Sequence, residues 1–470
     1  HQEARRQRQM CIRDRGYLRE ISREQLKLER YAGNRPGDLV GHYGIENRYD
    51  HLLRGQRGKK QVEVNALGVL VKEVYSEPSR IGNTVQLTLD RDLQQASDFA
   101  LQGKRGAIVA LDPNSGHILA LSSSPAFDPG VFVGEVQPAE WRSLVEDKYE
   151  PLRNRAIQSS YPPGSVFKMV TAAAALQEKL VDPHETVNCA GYTILGGRRF
   201  RCHRAAGHGA VALNMALARS CDVYFYKLAQ RMGIDTIHKY ATKFGLGVRT
   251  GIGLGEESSG LVPSTAWKKR HFKKREDQKW YPGETLSVVI GQGALLTTPL
   301  QIARALAALV NGGKLLRPTI VYRILDSEGE VVEEISPEVQ GSLGISTRVV
   351  NAVRAGLVSV VNHPLGTGKR AQLEEFSVAG KTGTAQVVSA RLADANKDYE
   401  RYKDHAWFMA YAPADAPKIV LAILVEHSGH GGVVAAPIAK QLLRKFFKIA
   451  DSEPEIEQSL NTETQGMGDA

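Results

Sequence analysis

The sequence holds no run of about 18 apolar residues, so no segment of it is expected to cross a bilayer, and no secretory leader is visible. It does not begin with methionine and reads as a piece of a longer protein. It contains no internal repeat. Lys and Arg outnumber Asp and Glu by 61 to 51, a net charge of +10, yet there is no nucleic-acid-binding motif and no stripe of basic and aromatic residues. Nucleic acid is therefore not an expected partner. A membrane surface or an anionic, lipid-linked substrate suits the basic balance better.

The 470 residues are enough for two or three domains and a large core, and 42% hydrophobic with 24% charged residues is ordinary globular composition. Residues 1–15 are basic and patternless. Leu26 to Tyr31 looks helical, and glycines at 41, 44, 55 and 58 punctuate turns. Val62–Val64, Val69–Tyr75 and Val85–Leu89 read as short strands, after which Asp90 caps a helix to about Leu101. A strand, a turn at Asp112-Pro-Asn-Ser-Gly116 and a second strand follow. Helices are expected over Leu213–Arg219, over Asp222–Met232, in a segment capped by Asp235, over Gln301–Val310, and from Pro437 to about Phe447. Trp407–Ala412 and Ile419–Val425 are strands, the second apolar on both faces and hence central. Lys268–Lys279 is a basic run, and residues 451–470 are acidic and poor in large apolar side chains, as disordered tails are.

Chemistry concentrates at Tyr161-Pro-Pro-Gly-Ser165-Val-Phe-Lys168. Two prolines and a glycine halt the chain. Ser165 then opens a segment to about Leu180 that is apolar nearly all round, as a helix buried in a core would be. Ser165 stands at the helix start, where free N–H groups favour negative charge, and Lys168 lies three residues on, over the same face. A serine needs a base to become a nucleophile, and a desolvated lysine can serve. Two further motifs follow in order. Ser220-Cys221-Asp222 lies between helical patterns, and Lys381-Thr382-Gly383-Thr384 lies in a strand-like run.

Together these three motifs resemble the set found in penicillin-binding proteins and β-lactamases. From about Gly41 to Lys448 the chain is similar to class B penicillin-binding proteins, within them to the elongation type, penicillin-binding protein 2. The Gly41-His-Tyr-Gly-Ile-Glu46, Trp280–Thr285 and Ile290–Gly293 stretches match that group. The resemblance implies an α+β fold: a transpeptidase domain with an antiparallel sheet and helices on both faces (residues 104–450), preceded by a truncated non-catalytic pedestal (16–103). It implies peptidoglycan D,D-transpeptidation, with Ser165 attacking the penultimate D-alanine carbonyl of a stem peptide and Lys168 taking its proton. Ser220 would relay a proton to the leaving group, and Asp222, where the usual residue is Asn, would bond the lysine or the substrate. Lys381, Thr382 and Thr384 would hold the terminal carboxylate, Gly383 would leave room for the substrate backbone, and the Ser165 and Thr384 amides would form the oxyanion hole. Stem peptides, β-lactams, a SEDS-family glycosyltransferase and membrane proteins of the elongation complex are the implied partners. The implied location is the inner membrane with the catalytic domain in the periplasm, although the family's N-terminal transmembrane helix is missing here. The rival readings are a β-lactamase or D,D-carboxypeptidase, a division-specific transpeptidase, and a scaffold that activates a glycosyltransferase.

Three cysteines and a histidine follow the spacing Cys189-x12-Cys202-x5-His208-x12-Cys221. Three thiolates and an imidazole make a closed tetrahedral set of the kind structural zinc takes. A Cys189–Cys202 disulfide or inert buried thiols are the alternatives. The resemblance adds that related penicillin-binding protein 2 sequences carry zinc at this place, often on aspartates.

Overall fold

The computed structural model describes residues 16–132, 137–387 and 402–450. The basic N-terminus with Cys11, and the acidic tail expected to be disordered, lie outside the described residues. No helix among the described residues is long and apolar enough to cross a membrane.

Near the N-terminus, 3-10 turns at Gln25–Lys27 and Glu29–Tyr31 replace the helix expected there. Ser22 and Gln25 trade side-chain-to-backbone hydrogen bonds, and Leu28 is extended (φ −86, ψ 134), so the helical run breaks at its middle. Strands β1 (Lys59–Val64) and β2 (Leu70–Glu77) form an exposed antiparallel hairpin. Asp90 accepts from the Leu93 amide and starts α1 (Arg91–Ala100), as its position predicts.

Strands β3 (Gly106–Leu111) and β4 (Ile118–Ser124) open the larger unit. Helix α2 (Lys168–Gln177) follows, then the hairpin β5 (Tyr192–Leu195) and β6 (Arg198–Arg201), and α3 (Asp222–Met232). Next come α4 (Thr265–His271), α5 (Pro282–Val289), α6 (Pro299–Val310) and α7 (Thr347–Asn362). The unit closes with β7 (Ala379–Ala385), β8 (His405–Ala412), β9 (Ile419–Val425) and α8 (Gly431–Phe446). Five strands pair antiparallel in the order β7-β8-β9-β3-β4, so segments from both ends of the unit build one sheet, and β7 is its edge.

The sheet is covered on both faces because its central strand is apolar on both. Val420, Ala422 and Leu424 of β9 join one core with α2 and α6. Ile419, Leu421, Ile423 and Val425 join another with α1 and α8.

Two helix starts differ from expectation. Helix α8 begins at Gly431, with Pro437 inside it. Proline lacks the N–H that would bond Val433, and that carbonyl accepts from Arg370 instead (3.4 Å). Asp235 does not cap its helix, which starts at Ile234. Its carboxylate accepts from the Thr265 amide and hydroxyl (2.9 and 2.7 Å) and ties that helix to α4.

Candidate active site and adjoining thiolate cluster

The Pro162-Pro163-Gly164 stop works through tertiary contacts. Gly164 has φ +57, and a Cβ there would meet the Thr384 carbonyl at 2.7 Å, so only glycine lets the turn lie against β7. The Gly164 amide donates to the Gly291 carbonyl (2.9 Å), and Trp407 Nε1 of β8 donates to the Pro162 carbonyl (3.1 Å). Ser165 lies in the 3-10 turn Gly164–Phe167, and Lys168 is the first residue of α2. The helix ends at Gln177, short of Leu180, because Lys179 adopts φ +56 and the Leu180 amide folds back to Ala175.

Beneath the turn lies a buried charge network. The Tyr161 hydroxyl donates to Glu426 Oε1 (2.6 Å) and Arg155 Nε donates to the same oxygen (2.9 Å), with both charged side chains almost wholly enclosed. Burial pushes the Glu426 carboxyl up, but the Tyr161 hydrogen bond and the Arg155 charge outweigh it, and the net shift is downward. Glu426→Ala strands the Arg155 charge in the interior and is expected to lower stability by roughly 3–5 kcal/mol. Because the folded pKa lies below the unfolded one, about 4.3, the charge contribution is present above that value and fades as pH falls through the folded pKa. Denaturant melts of both proteins at neutral pH and near pH 4 should show the gap narrowing on acidification.

The three motifs converge. Lys168 Nζ, fully buried, donates to Asp222 Oδ1 (2.7 Å), the Ser220 carbonyl (2.9 Å) and Ser220 Oγ (3.2 Å). Those are three acceptors for the three protons of an ammonium. Ser220 takes φ +53, a left-handed geometry costing about 1 kcal/mol or more, which points its carbonyl and hydroxyl at the same amine. Lys381 Nζ, also fully buried, reaches Ser220 Oγ from the other side (2.9 Å). Burial, then the neighbouring Lys168 charge, hold its pKa well below the usual lysine value, with Asp222 opposing them. Burial would raise the Asp222 carboxyl, but Lys168 and His203 hold it down. The Ser165 hydroxyl makes no hydrogen bond among the described residues, so Lys168 rests on the second motif and not on the nucleophile.

Along the edge strand, Thr382 Oγ1 pairs with Thr367 Oγ1 (2.8 Å), and Thr384 Oγ1 lies 3.5 Å from Nδ1 of the exposed His430. A Cβ on Gly383 would meet Trp407 Cβ (2.8 Å) and the Pro163 carbonyl (3.0 Å), so this glycine makes room for the protein's own turn. Gln292 Nε2 donates to the Thr384 carbonyl (3.1 Å). Sequence reasoning missed His430, Thr367 and His203 as neighbours of the motifs. All three lie in loops, and no spacing in the chain announces which loop closes on which motif.

Cys189, Cys202, His208 and Cys221 are all buried, and their donor atoms lie within 4.8 Å of one another. His208 Nδ1 stands 3.6 Å from Cys189 Sγ and 3.5 Å from Cys202 Sγ. With Zn–S bonds of about 2.3 Å and Zn–N bonds of about 2.0–2.1 Å, tetrahedral coordination separates S and N by about 3.5 Å, so the donor set fits zinc in kind, number and spacing. The three sulfurs are free thiols, without the Cys189–Cys202 bond of the disulfide alternative. Their mutual interaction holds the Cys202 thiol below its ordinary value and, with burial, pushes the Cys221 thiol up. The residue that follows Cys202 touches the catalytic group directly. The His203 amide donates to Asp222 Oδ2 (3.0 Å), and its Nδ1 lies 3.5 Å from the same oxygen, raising the imidazole to about 9.

A serine in the turn that opens a buried helix beside the edge strand of a five-stranded antiparallel sheet, with two lysines meeting at one hydroxyl, defines the penicillin-recognising class of serine acyltransferase folds. Residues 106–444 match the penicillin-binding protein transpeptidase domain, and residues 13–87 match the penicillin-binding protein dimerisation domain. The chain is 37% identical over 444 residues to peptidoglycan D,D-transpeptidase MrdA of Haemophilus influenzae, covering 91% of this chain and 66% of that protein. It is 38% identical over 433 residues to MrdA of Acinetobacter baumannii, covering 90% and 63%. The chain thus spans slightly less than two thirds of these relatives' length. Its structure superposes on penicillin-binding protein 2 in the complex with MreC from Helicobacter pylori, with TM-score 0.81, 30% identity, and coverage of 95% of this chain and 78% of that one. The chain belongs to the penicillin-binding protein transpeptidase family, alongside penicillin-binding protein 2.

Proposed function

We propose that the protein is a peptidoglycan D,D-transpeptidase of the elongation type, inhibited by β-lactams. The observation that carries the reading is the meeting of both lysines at the Ser220 hydroxyl, one of them a single turn from Ser165. As an ammonium with all three donors engaged, Lys168 is no base. It becomes one if a proton passes from Lys168 to Ser220 Oγ while the Ser220 proton moves to Lys381, whose depressed pKa marks it as the amine able to accept. A substrate carboxylate arriving at Thr382 and Thr384 stabilises the resulting Lys381 ammonium. Neutral Lys168 then takes the Ser165 proton as Oγ bonds to the penultimate D-alanine carbonyl, with the Ser165 and Thr384 amides receiving the oxyanion. The proton returns through Ser220 to the departing D-alanine amine, and the acyl group passes to the amine of a neighbouring stem peptide.

In this reading Cys189, Cys202, His208 and Cys221 hold a structural zinc ion. Bound there, it supplies folding free energy and fixes the loop carrying Ser220 and Asp222, and takes no part in acyl transfer. The reading also places the catalytic unit on the periplasmic side of the inner membrane. Partners there are a SEDS-family glycosyltransferase and elongation-complex proteins such as the MreC seen with the Helicobacter pylori relative. Incubation with labelled penicillin followed by peptide mapping is expected to place the label on Ser165 and to show an acyl-enzyme that persists for long periods. A label on another residue, or rapid release as from a β-lactamase, overturns the assignment.

A further inference from the structure

Four arginines stand on or beside the β5–β6 hairpin: Arg198, Arg199, Arg201 and Arg204, all exposed. The run from Lys268 onward supplies more, with Lys273, Lys274 and Arg275 exposed in the segment between α4 and α5. Lys268 alone in that run is spent internally. It is buried, and both Glu284 oxygens accept from it at 2.6 Å. Among the described residues the other cations named here make no ion pair.

The hairpin and the helix that follows the second basic segment are far apart in sequence but adjacent in the fold. The hairpin and α5 both pack on α3, and a Cβ on Gly283 at the start of α5 would meet the Phe200 ring at 3.3 Å. Phe200 sits between Arg199 and Arg201 and pins the hairpin there. Each segment also leads to the catalytic residues. Arg201 precedes Cys202 and His203, whose amide holds Asp222. Helix α5, eight residues and so about 12 Å long, runs from the basic segment to the Gly291 loop that bonds Gly164 beside Ser165.

We propose that these segments form one basic wall that binds the polymeric substrate, an uncross-linked peptidoglycan strand whose successive stem peptides present repeated carboxylates, and delivers one peptide to Ser165. The proposal rests on the transpeptidase reading and deepens it. Three features favour a strand over an anionic lipid surface. The cations sit on chain segments that continue to the catalytic residues. Arginine forks suit carboxylates in two-point contact. The exposed rings of Phe272 and Tyr281 among the cations offer flat apolar faces to sugar rings. Polymer binding by such a wall is multivalent, salt-sensitive and lost with its charges.

The test compares the protein with two triple or double variants, Lys273→Ser/Lys274→Ser/Arg275→Ser and Arg198→Ser/Arg199→Ser. Soluble uncross-linked strands, a single disaccharide peptide, and vesicles containing anionic phospholipid serve as probes. Each variant is expected to bind strands about tenfold or more weakly at low salt and to show a shallower salt dependence. Penicillin acylation, which needs no polymer, should be unchanged and reports folding of the site. Strand affinity that is independent of salt and of both variants overturns the wall, as does a loss confined to anionic vesicles, which assigns it to a lipid surface. Failure of wild-type Ser165 to acylate is a separate result and sinks the transpeptidase reading itself.

Discussion

Lys168→Ala is expected to slow acylation by penicillin by about 10²–10⁴, the worth of a positioned general base, while Ser165→Ala abolishes it. The two variants should differ in stability as sharply as in rate. Ser165 contributes a hydroxyl without a hydrogen bond among the described residues, so its loss leaves the melting temperature nearly unchanged. Removing the fully buried Lys168 amine leaves the almost enclosed Asp222 carboxylate with His203 alone, and leaves Ser220 Oγ with only Lys381. Asp222→Asn separates the two roles, because it removes the charge while keeping a hydrogen-bonding group of the same shape. The Asp222 pKa is held below its unfolded value, so its ion pair stabilises above about pH 3.9 and loses that effect as pH falls through the folded value. The stability difference between the wild type and Asp222→Asn should therefore shrink toward acid pH. Second-order rates of acylation by a fluorescent penicillin, with melts on the same samples, check all three variants. Full labelling of Ser165→Ala, or a Lys168→Ala rate within a few-fold of wild type, removes these residues from the chemistry.

The motifs were legible because each is local. Ser165 and Lys168 share one turn, Ser220 and Asp222 flank one helix start, and Lys381 to Thr384 occupy one strand, so short spacings carry the signal. Helix α3 and strand β9 were readable to the residue: Gly233, in the left-handed region, follows the last residue of the helix, and a two-faced apolar run marks the strand. What was not legible depends on pairing across hundreds of residues. Glu426 reaches Tyr161 because β9 lies two strands from the edge, and nothing near either residue announces it. Lys381 reads as a strand-edge residue that holds the substrate carboxylate, and nothing in its motif announces that it is enclosed and turned toward Ser220. The Pro437 boundary failed for a related reason: an arginine from a distant turn takes the carbonyl that proline leaves free. Cys202 and Cys221 were recognisable as a possible ligand pair, but the hydrogen bond from the intervening loop to Asp222 was not.

That hydrogen bond makes the metal prediction specific. Cys202 is followed by His203, whose amide holds one oxygen of Asp222, and Cys221 is the residue before Asp222. A metal joining the two cysteines therefore brackets the carboxylate that anchors Lys168. His208 touches neither the substrate site nor the Ser220 and Asp222 side chains, yet His208→Ala is expected to lower the melting temperature by about 5 °C or more and to slow acylation by about 10–100-fold. Chelation of the wild-type protein should reproduce both effects, and re-addition of zinc should reverse them. A disulfide predicts the opposite pattern: His208 would be dispensable, Cys189 and Cys202 would matter equally, and a reductant rather than a chelator would destabilise. Inert thiols predict no response to either reagent. Elemental analysis of protein purified without added metal or chelator should find about one zinc per chain. Less than about a tenth of an equivalent, with His208→Ala as stable and as fast as wild type, would reduce the four residues to a packed thiol cluster. The bond from His203 to Asp222 would then have to be held by the loop's own packing.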